Sequence, residues 1–103
     1  MPKFSIIVNC LNGEDFLSRS LDSIYNQTFK DWEIIFYDNN STDNSAEIAK
    51  SYGKKLNYFK SEKTFPLGRA RYDAIRLASG EFIAYLDVDD VWKENKLEVQ
   101  NSI

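Results

Sequence analysis

Three carboxylates fall within four residues at Asp87-Val88-Asp89-Asp90, directly after the apolar run Phe82-Ile83-Ala84-Tyr85-Leu86. That run, entered through Gly80-Glu81 and rich in β-branched and aromatic residues, predicts a buried strand. If the chain stays extended through Asp87-Val88-Asp89, the two-residue period of a strand sends both Asp side chains to one side and Val88 to the other. Converging carboxylates repel one another unless a cation lies between them. Hard oxygen donors suit Mg²⁺ or Mn²⁺, which takes one or two protein carboxylates and fills its shell with substrate phosphates and water. The competing use of the same residues is a helix cap flanked by solvated acids.

The elements that must position these acids can be read in order. Phe4-Ser5-Ile6-Ile7-Val8 is a near-continuous apolar run, the pattern of a strand covered on both faces. The turn residues Asn9-Cys10-Leu11-Asn12-Gly13 break it. From Glu14, apolar residues at Phe16, Leu17, Leu21, Ile24 and Tyr25 have helical spacing, fading at Asn26-Gln27-Thr28. A second strand at Trp32–Tyr37 ends in Asp38-Asn39-Asn40-Ser41-Thr42-Asp43, and a helix through Ala46, Ile48, Ala49 and Tyr52 stops at Gly53. Leu56–Lys60 reads as a third strand near a sheet edge. Pro66-Leu67-Gly68 precedes a helix with Ala70, Ala74, Ile75, Leu77 and Ala78 inward. Trp92, Leu97 and Val99 suggest a last helix, whose pattern still runs at Ser102-Ile103 and hints at a truncated chain.

The alternation predicts an α/β fold, a Rossmann-like parallel sheet with helices on both faces, forming one unit over residues 1–103. In a doubly wound order 3-2-1-4 the ligand crevice opens between the ends of strands one and four. Residues 9–12 and 87–90 then face each other, with Asp38 beside the first loop.

Composition narrows the chemistry. The chain has 103 residues, a net charge of −3, 43% apolar and 15% aromatic residues. Its thirteen basic residues are scattered rather than striped, against a nucleic-acid surface. One cysteine, Cys10, and no histidine leave no internal disulfide, no zinc site and no Ser-His or Cys-His nucleophile. A reducing compartment suits the single thiol. No apolar run approaches the roughly 20 residues of a membrane span. Neither a Gly-x-Gly-x-x-Gly fingerprint nor a P-loop follows strand one. Bound phosphates would need another counter-charge, from a cation on the acids or from Arg69 or Arg71.

These motifs together resemble family 2 glycosyltransferases, inverting enzymes of the GT-A fold. The resemblance is carried by Ser5-Ile6-Ile7-Val8…Asn12, Leu21-x-Ser23-Ile24, Gln27-Thr28, Trp32-Glu33-Ile34-Ile35-x-x-Asp38-x-x-Ser41-Thr42-Asp43, Gly68-x-Ala70-Arg71, and Gly80-Glu81-Phe82-Ile83-Ala84-x-Leu86-Asp87-x-Asp89-Asp90. It implies the amino-terminal, nucleotide-sugar-binding half of a larger catalytic domain, transferring a sugar from a nucleoside-diphosphate donor, with UDP-sugars foremost, to an acceptor hydroxyl. By that resemblance Asn9, Leu11, Asp38, Asn39, Arg71 and Asp87 contact the nucleotide. Asp89, with Asp87, holds Mg²⁺ or Mn²⁺ in a DXD motif. The general base is not assignable within this chain. The acceptor would be a glycan or lipid-linked sugar in polysaccharide biosynthesis, and the full protein would work in the cytoplasm or at the inner face of the membrane. Two departures leave the base preference open: Asn39 stands where many relatives carry a second acid, and Leu11 where an aromatic is usual.

Rival readings are a sugar-phosphate nucleotidyltransferase, which needs a Gly-rich basic loop after strand one that residues 9–13 lack, and a non-catalytic interaction module. For single residues the plainer uses are a turn role for Asp38, an ion pair for Arg71, helix capping for Asp43, and packing for Cys10, Tyr72, Tyr85 and Trp92. Gln27-Thr28 would fix the turn into strand two.

Overall fold

The computed structural model describes residues 2–102, so Met1 and Ile103 lie outside the description. Four strands alternate with four helices: β1 (Phe4–Cys10), α1 (Glu14–Tyr25), β2 (Trp32–Asp38), α2 (Ser45–Lys50), β3 (Leu56–Lys60), α3 (Leu67–Ile75), β4 (Phe82–Tyr85) and α4 (Lys96–Asn101). The sheet is parallel throughout, in the order β3-β2-β1-β4. This is the α/β architecture the alternation predicts, with the reversal of strand order between β1 and β4.

Strand periodicity divides the core into two layers. Phe4, Ile6, Val8 and Cys10 of β1 and Trp32, Ile34 and Phe36 of β2 pack with Leu17, Leu21, Ile24, Ala49 and Leu97 from α1, α2 and α4. The opposite face of the same strands, Ile7, Ile35 and Tyr37, meets Ala70 and Ala74 of α3. Burial of both faces explains why β1 and β2 read as unbroken apolar runs.

β4 departs from expectation. It is an edge strand, and Phe82, Ile83 and Tyr85 are exposed, Phe82 at 50% and Tyr85 at 48%. Only Ala84 and the following Leu86 reach the core. The local run is as apolar as β1, but among the described residues no element lies beyond it. Tyr72 and Leu77 are also exposed rather than packed, while Trp92 packs partly against the core as expected.

The amino edge of the sheet is closed by one acid. Glu33 Oε2 accepts hydrogen bonds from Ser5 Oγ (2.6 Å), Ser79 N (2.8 Å) and Ser79 Oγ (2.9 Å). Gly80 N in turn donates to Ser5 Oγ at 2.7 Å, so the turn into β4 is tied to β1 and β2. A Cβ on Gly80 would lie 2.7 Å from Ser5 N and 2.8 Å from Phe4 C, so no larger residue fits without moving backbone. Burial raises the pKa of Glu33, but the Ser5, Ser79 and Gly80 donors outweigh it and hold the carboxyl below its ordinary range.

Candidate functional site

Register brings the polar strand ends to one edge. Cys10 lies level with Asp38 and Lys60, and Ile7 with Tyr85. Leu86 N extends the ladder by donating to Ile7 O at 3.1 Å, so the acids begin immediately beyond the sheet.

The acids do not continue as a strand. Asp90 N donates to Asp87 O at 2.9 Å, which closes Asp87–Asp90 into a turn. The two-residue alternation predicted for Asp87 and Asp89 therefore does not apply; a turn has turned the chain back over α1. Val88 is half-buried against the core, and both Asp87 and Asp89 are exposed.

Arg71 of α3 reaches across to this turn. Its Nη2 lies 3.6 Å from Asp87 Oδ1, with the guanidinium carbon 5.7 Å from the Tyr85 ring centre. Arg69, the other sequence candidate, points elsewhere: it pairs with Asp73 at 3.1 Å and stands over the Phe65 ring. Ile7, Asn9, Leu67, Arg71, Tyr85, Leu86 and Asp87 together line a crevice of about 30 Å³. Asn9, one of the lining residues, has its Nδ2 buried without a hydrogen-bond partner among the described residues.

Asp38 and Asn39 meet different surroundings from those expected of direct ligand contacts. Asp38 is 0% exposed. Its Oδ1 accepts from Ser41 N at 2.8 Å and its Oδ2 from Tyr58 Oη at 2.5 Å. Burial and then the Asp38 acceptor push the Tyr58 phenol well above its ordinary range, so it stays a donor. Asn39 exchanges two bonds with the Phe65 backbone, Nδ2 to Phe65 O (2.8 Å) and Phe65 N to Oδ1 (2.9 Å). Both side chains hold loops in this conformation. Leu11, by contrast, is exposed.

The loops around the site are held by Asn12, Ser41, Ser45 and Asp43, the last in the capping role read for it from the sequence. Asn12 takes a left-handed conformation (φ 54°), and its Oδ1 accepts from Thr42 N (2.8 Å) and Asp43 N (3.3 Å). Ser41 Oγ accepts from Asn12 N, and Ser45 Oγ from Gly13 N. Asp43 caps twice, with Oδ1 accepting from Ser45 N (2.9 Å) at the start of α2 and Oδ2 from Glu14 N (3.1 Å) at the start of α1. The loops after β1 and β2 are thus stapled together. Cys10 is buried beneath this staple, and burial raises its thiol pKa, as suits a core residue.

Gln27 and Thr28 hold a different segment from the predicted turn into β2. Gln27 Nε2 donates to Lys93 O (2.7 Å), Gln27 Oε1 accepts from Leu97 N (3.0 Å), and Thr28 N donates to Glu94 O (2.8 Å). They anchor the chain that follows the acids, some seventy residues away in sequence.

For a divalent cation the donor set is chemically suitable but sparse. No group of three His, Cys, Asp or Glu gathers as a metal cage among the described residues. Asp89 has no hydrogen-bond or ion-pair partner among them, and Asp87 has only Arg71. One or two open carboxylates fit Mg²⁺ or Mn²⁺, cations that draw their remaining ligands from phosphate and water.

Comparison with known proteins agrees with this architecture. The family model described as "Glycosyl transferase family 2" matches residues 5–100. A UDP-Glc:alpha-D-GlcNAc-diphosphoundecaprenol beta-1,3-glucosyltransferase of Escherichia coli is 37% identical over 100 residues, 96% of this chain and 40% of that enzyme. A GalNAc(5)-diNAcBac-PP-undecaprenol beta-1,3-glucosyltransferase of Campylobacter jejuni is 39% identical over 95 residues, 87% of this chain and 30% of that enzyme. The crystal structure of S. aureus TarS 1-349 in complex with UDP-GlcNAc superposes with a TM-score of 0.91 at 31% identity, covering 97% of this chain and 30% of the TarS 1-349 chain. The chain thus spans two fifths or less of the length of these relatives.

Proposed function

The chain belongs to glycosyl transferase family 2, and on that footing we propose that its carboxyl-edge residues form the donor half of a metal-dependent sugar transfer from a nucleoside-diphosphate sugar to an acceptor hydroxyl. The observation that carries this reading is the meeting of Arg71 and Asp87 beside Asn9, with Asp89, two residues on, unpaired among the described residues. A cation, an orphaned amide donor and open carboxylates side by side suit a ligand bearing a polar heterocycle and a diphosphate.

In this reading Asn9, Leu11 and Arg71 contact the nucleotide and Asp87 lies nearer the ribose. Asp38 and Asn39 act by holding the turn at Ser41 and the loop at Phe65 around the nucleotide. Asp89, assisted by Asp87, holds Mg²⁺ or Mn²⁺, which when bound stabilises charge developing on the diphosphate leaving group. Arg71, now paired with Asp87, exchanges that partner for the ligand. No residue of this chain is assigned as general base. The E. coli relative's name specifies UDP-Glc and TarS was crystallised with UDP-GlcNAc, which supports a UDP-sugar donor. Undecaprenol-diphosphate acceptors in the names of both bacterial relatives support a lipid-linked glycan acceptor and work at the cytoplasmic membrane face. No helix among the described residues is long and apolar enough to cross a membrane, so a peripheral association fits.

The test is a two-dimensional amide NMR titration with UDP, with and without Mg²⁺, repeated on Asp89→Asn. Shifts concentrated at residues 9–12, 38–41, 67–71 and 87–90 that require both metal and Asp89 are expected. Well-dispersed spectra unchanged by UDP, GDP or ADP with Mg²⁺ would overturn the proposal for this chain.

A further inference from the structure

The turn that carries Asp89 is held from below by a residue no motif singles out. Ser20, on the inner face of α1, is 1% exposed. Its hydroxyl lies 2.5 Å from Val88 O and 2.6 Å from Asp90 O, acceptors 68 and 70 residues away. A serine inside a helix ordinarily turns its hydroxyl back to a carbonyl of the preceding turn. Ser23, one turn on, does so, donating to Ser20 O at 2.6 Å. Ser20 instead reaches across the domain, and its single proton is shared between two carbonyls.

Those carbonyls belong to the residues on either side of Asp89. Fixing both sets the backbone direction at Asp89 while leaving its carboxylate free, since no protein partner touches that side chain among the described residues. The other support of the turn is steric. Val88 rests on Gly13, where an added Cβ would lie 2.8 Å from Val88 Cγ2 and 3.1 Å from Cys10 Sγ. The acid turn is therefore seated on two residues of the first βα unit, one by hydrogen bonding and one by shape.

We propose that Ser20 is a positioning residue for the diphosphate–metal site, holding the backbone that carries Asp89 through Val88 O and Asp90 O. The inference rests on the donor-site reading above. Its physical basis is pre-organisation: an exposed carboxylate on a free turn pays ordering entropy on binding, and a clamped turn has already paid it.

The experiment is calorimetric titration of the chain with UDP in the presence and absence of Mn²⁺, comparing wild type, Ser20→Ala, Ser20→Cys and Ser23→Ala. Unfolding midpoints in urea are measured alongside. Ser23 is the control because it is equally part of α1 and accepts from Trp92 N, yet does not touch the acid turn. Ser20→Ala is expected to weaken Mn²⁺-dependent UDP binding about tenfold, equivalent to about 1.4 kcal/mol. Metal-independent binding stays unchanged, and Ser23→Ala at a similar stability loss leaves both unchanged. Ser20→Cys, with a weak donor of similar size, falls between, and it decides the matter where Ser20→Ala does not fold. Equal Mn²⁺-dependent affinity in wild type and the folded Ser20 variants would overturn the positioning role alone. A wild-type chain that binds no UDP with Mn²⁺ would overturn the donor-site reading beneath it.

Discussion

Two acids of this domain stand on the same sheet and do opposite things. Glu33, at the amino edge, takes three hydrogen bonds and ties β1, β2 and the entrance to β4 together. Asp89, at the carboxyl edge, takes none among the described residues, although the peptide carbonyls on both sides of it are held by Ser20. A carboxylate that accepts several protein hydrogen bonds stabilises the fold. One held by its backbone but left open at its oxygens contributes little to folding and is available for a cation. Asp38 shows that position alone does not decide the role. It stands at the carboxyl edge as Asp89 does, but it is buried, and like Glu33 it accepts hydrogen bonds from the protein.

The contrast predicts how stability should respond at the two edges. The largest effect belongs to Gly80→Ala, whose Cβ meets backbone at Ser5 and Phe4. Overpacking against atoms that cannot rotate away is expected to cost about 3 kcal/mol, read from the urea midpoint. Glu33→Gln keeps the shape but loses the charge that its donors favour. It should cost about 2 kcal/mol while leaving metal-dependent UDP binding within twofold of wild type. A loss of binding as large as the loss of stability would break the distinction between the edges.

The same acid makes a pH prediction. The Glu33 carboxyl is held below its ordinary value of 4.5, so the folded state binds its proton less readily than the unfolded chain. Its contribution is fully present above that value and disappears as pH falls through the folded-state pKa. Unfolding midpoints should therefore drop below pH 4.5 in wild type and drop less steeply in Glu33→Gln.

Smaller changes are expected at the carboxyl edge. Arg71→Gln removes an exposed ion pair at 3.6 Å, worth no more than about 0.5 kcal/mol of stability. Asp89→Asn should leave stability within about 0.5 kcal/mol, the smallest change of all, while abolishing the metal dependence of UDP binding. A destabilised Asp89→Asn would show that this carboxylate has a structural partner after all.

Much of the architecture was legible in the residues. Alternating apolar runs with strand and helix periods gave four strands and four helices, and the doubly wound order considered for them, 3-2-1-4, is the observed β3-β2-β1-β4. These features depend on windows of ten or so residues and on chain-wide regularities, which is why a reading of the chain recovers them. The meeting of the loop at residues 9–12 with the acids at 87–90 followed from the same order, whereas Arg71 entered through the family resemblance.

Other features escaped for a common reason. β4 is as apolar as β1, yet its exposure depends on what lies beside it in the sheet, which no local pattern records. Gln27-Thr28 looked like part of the adjacent turn and instead grips residues 93–97. Ser20 is an unremarked serine on an apolar helix face until the turn at 87–90 folds over it. Asp38 and Asn39 read as nucleotide contacts because strand ends so often are, and no local pattern records the partners the fold brings them, Tyr58 to Asp38 and Phe65 to Asn39.

The sequence by itself determined the elements, their order in the sheet and the acids at its carboxyl edge, because periodicity, turn residues and crossover handedness act locally or by general rule. Tertiary structure alone decided which of those acids remain open. Satisfaction of a buried polar group depends on donors brought from twenty to seventy residues away, and burying it unpaired would cost more than a marginally stable domain can absorb.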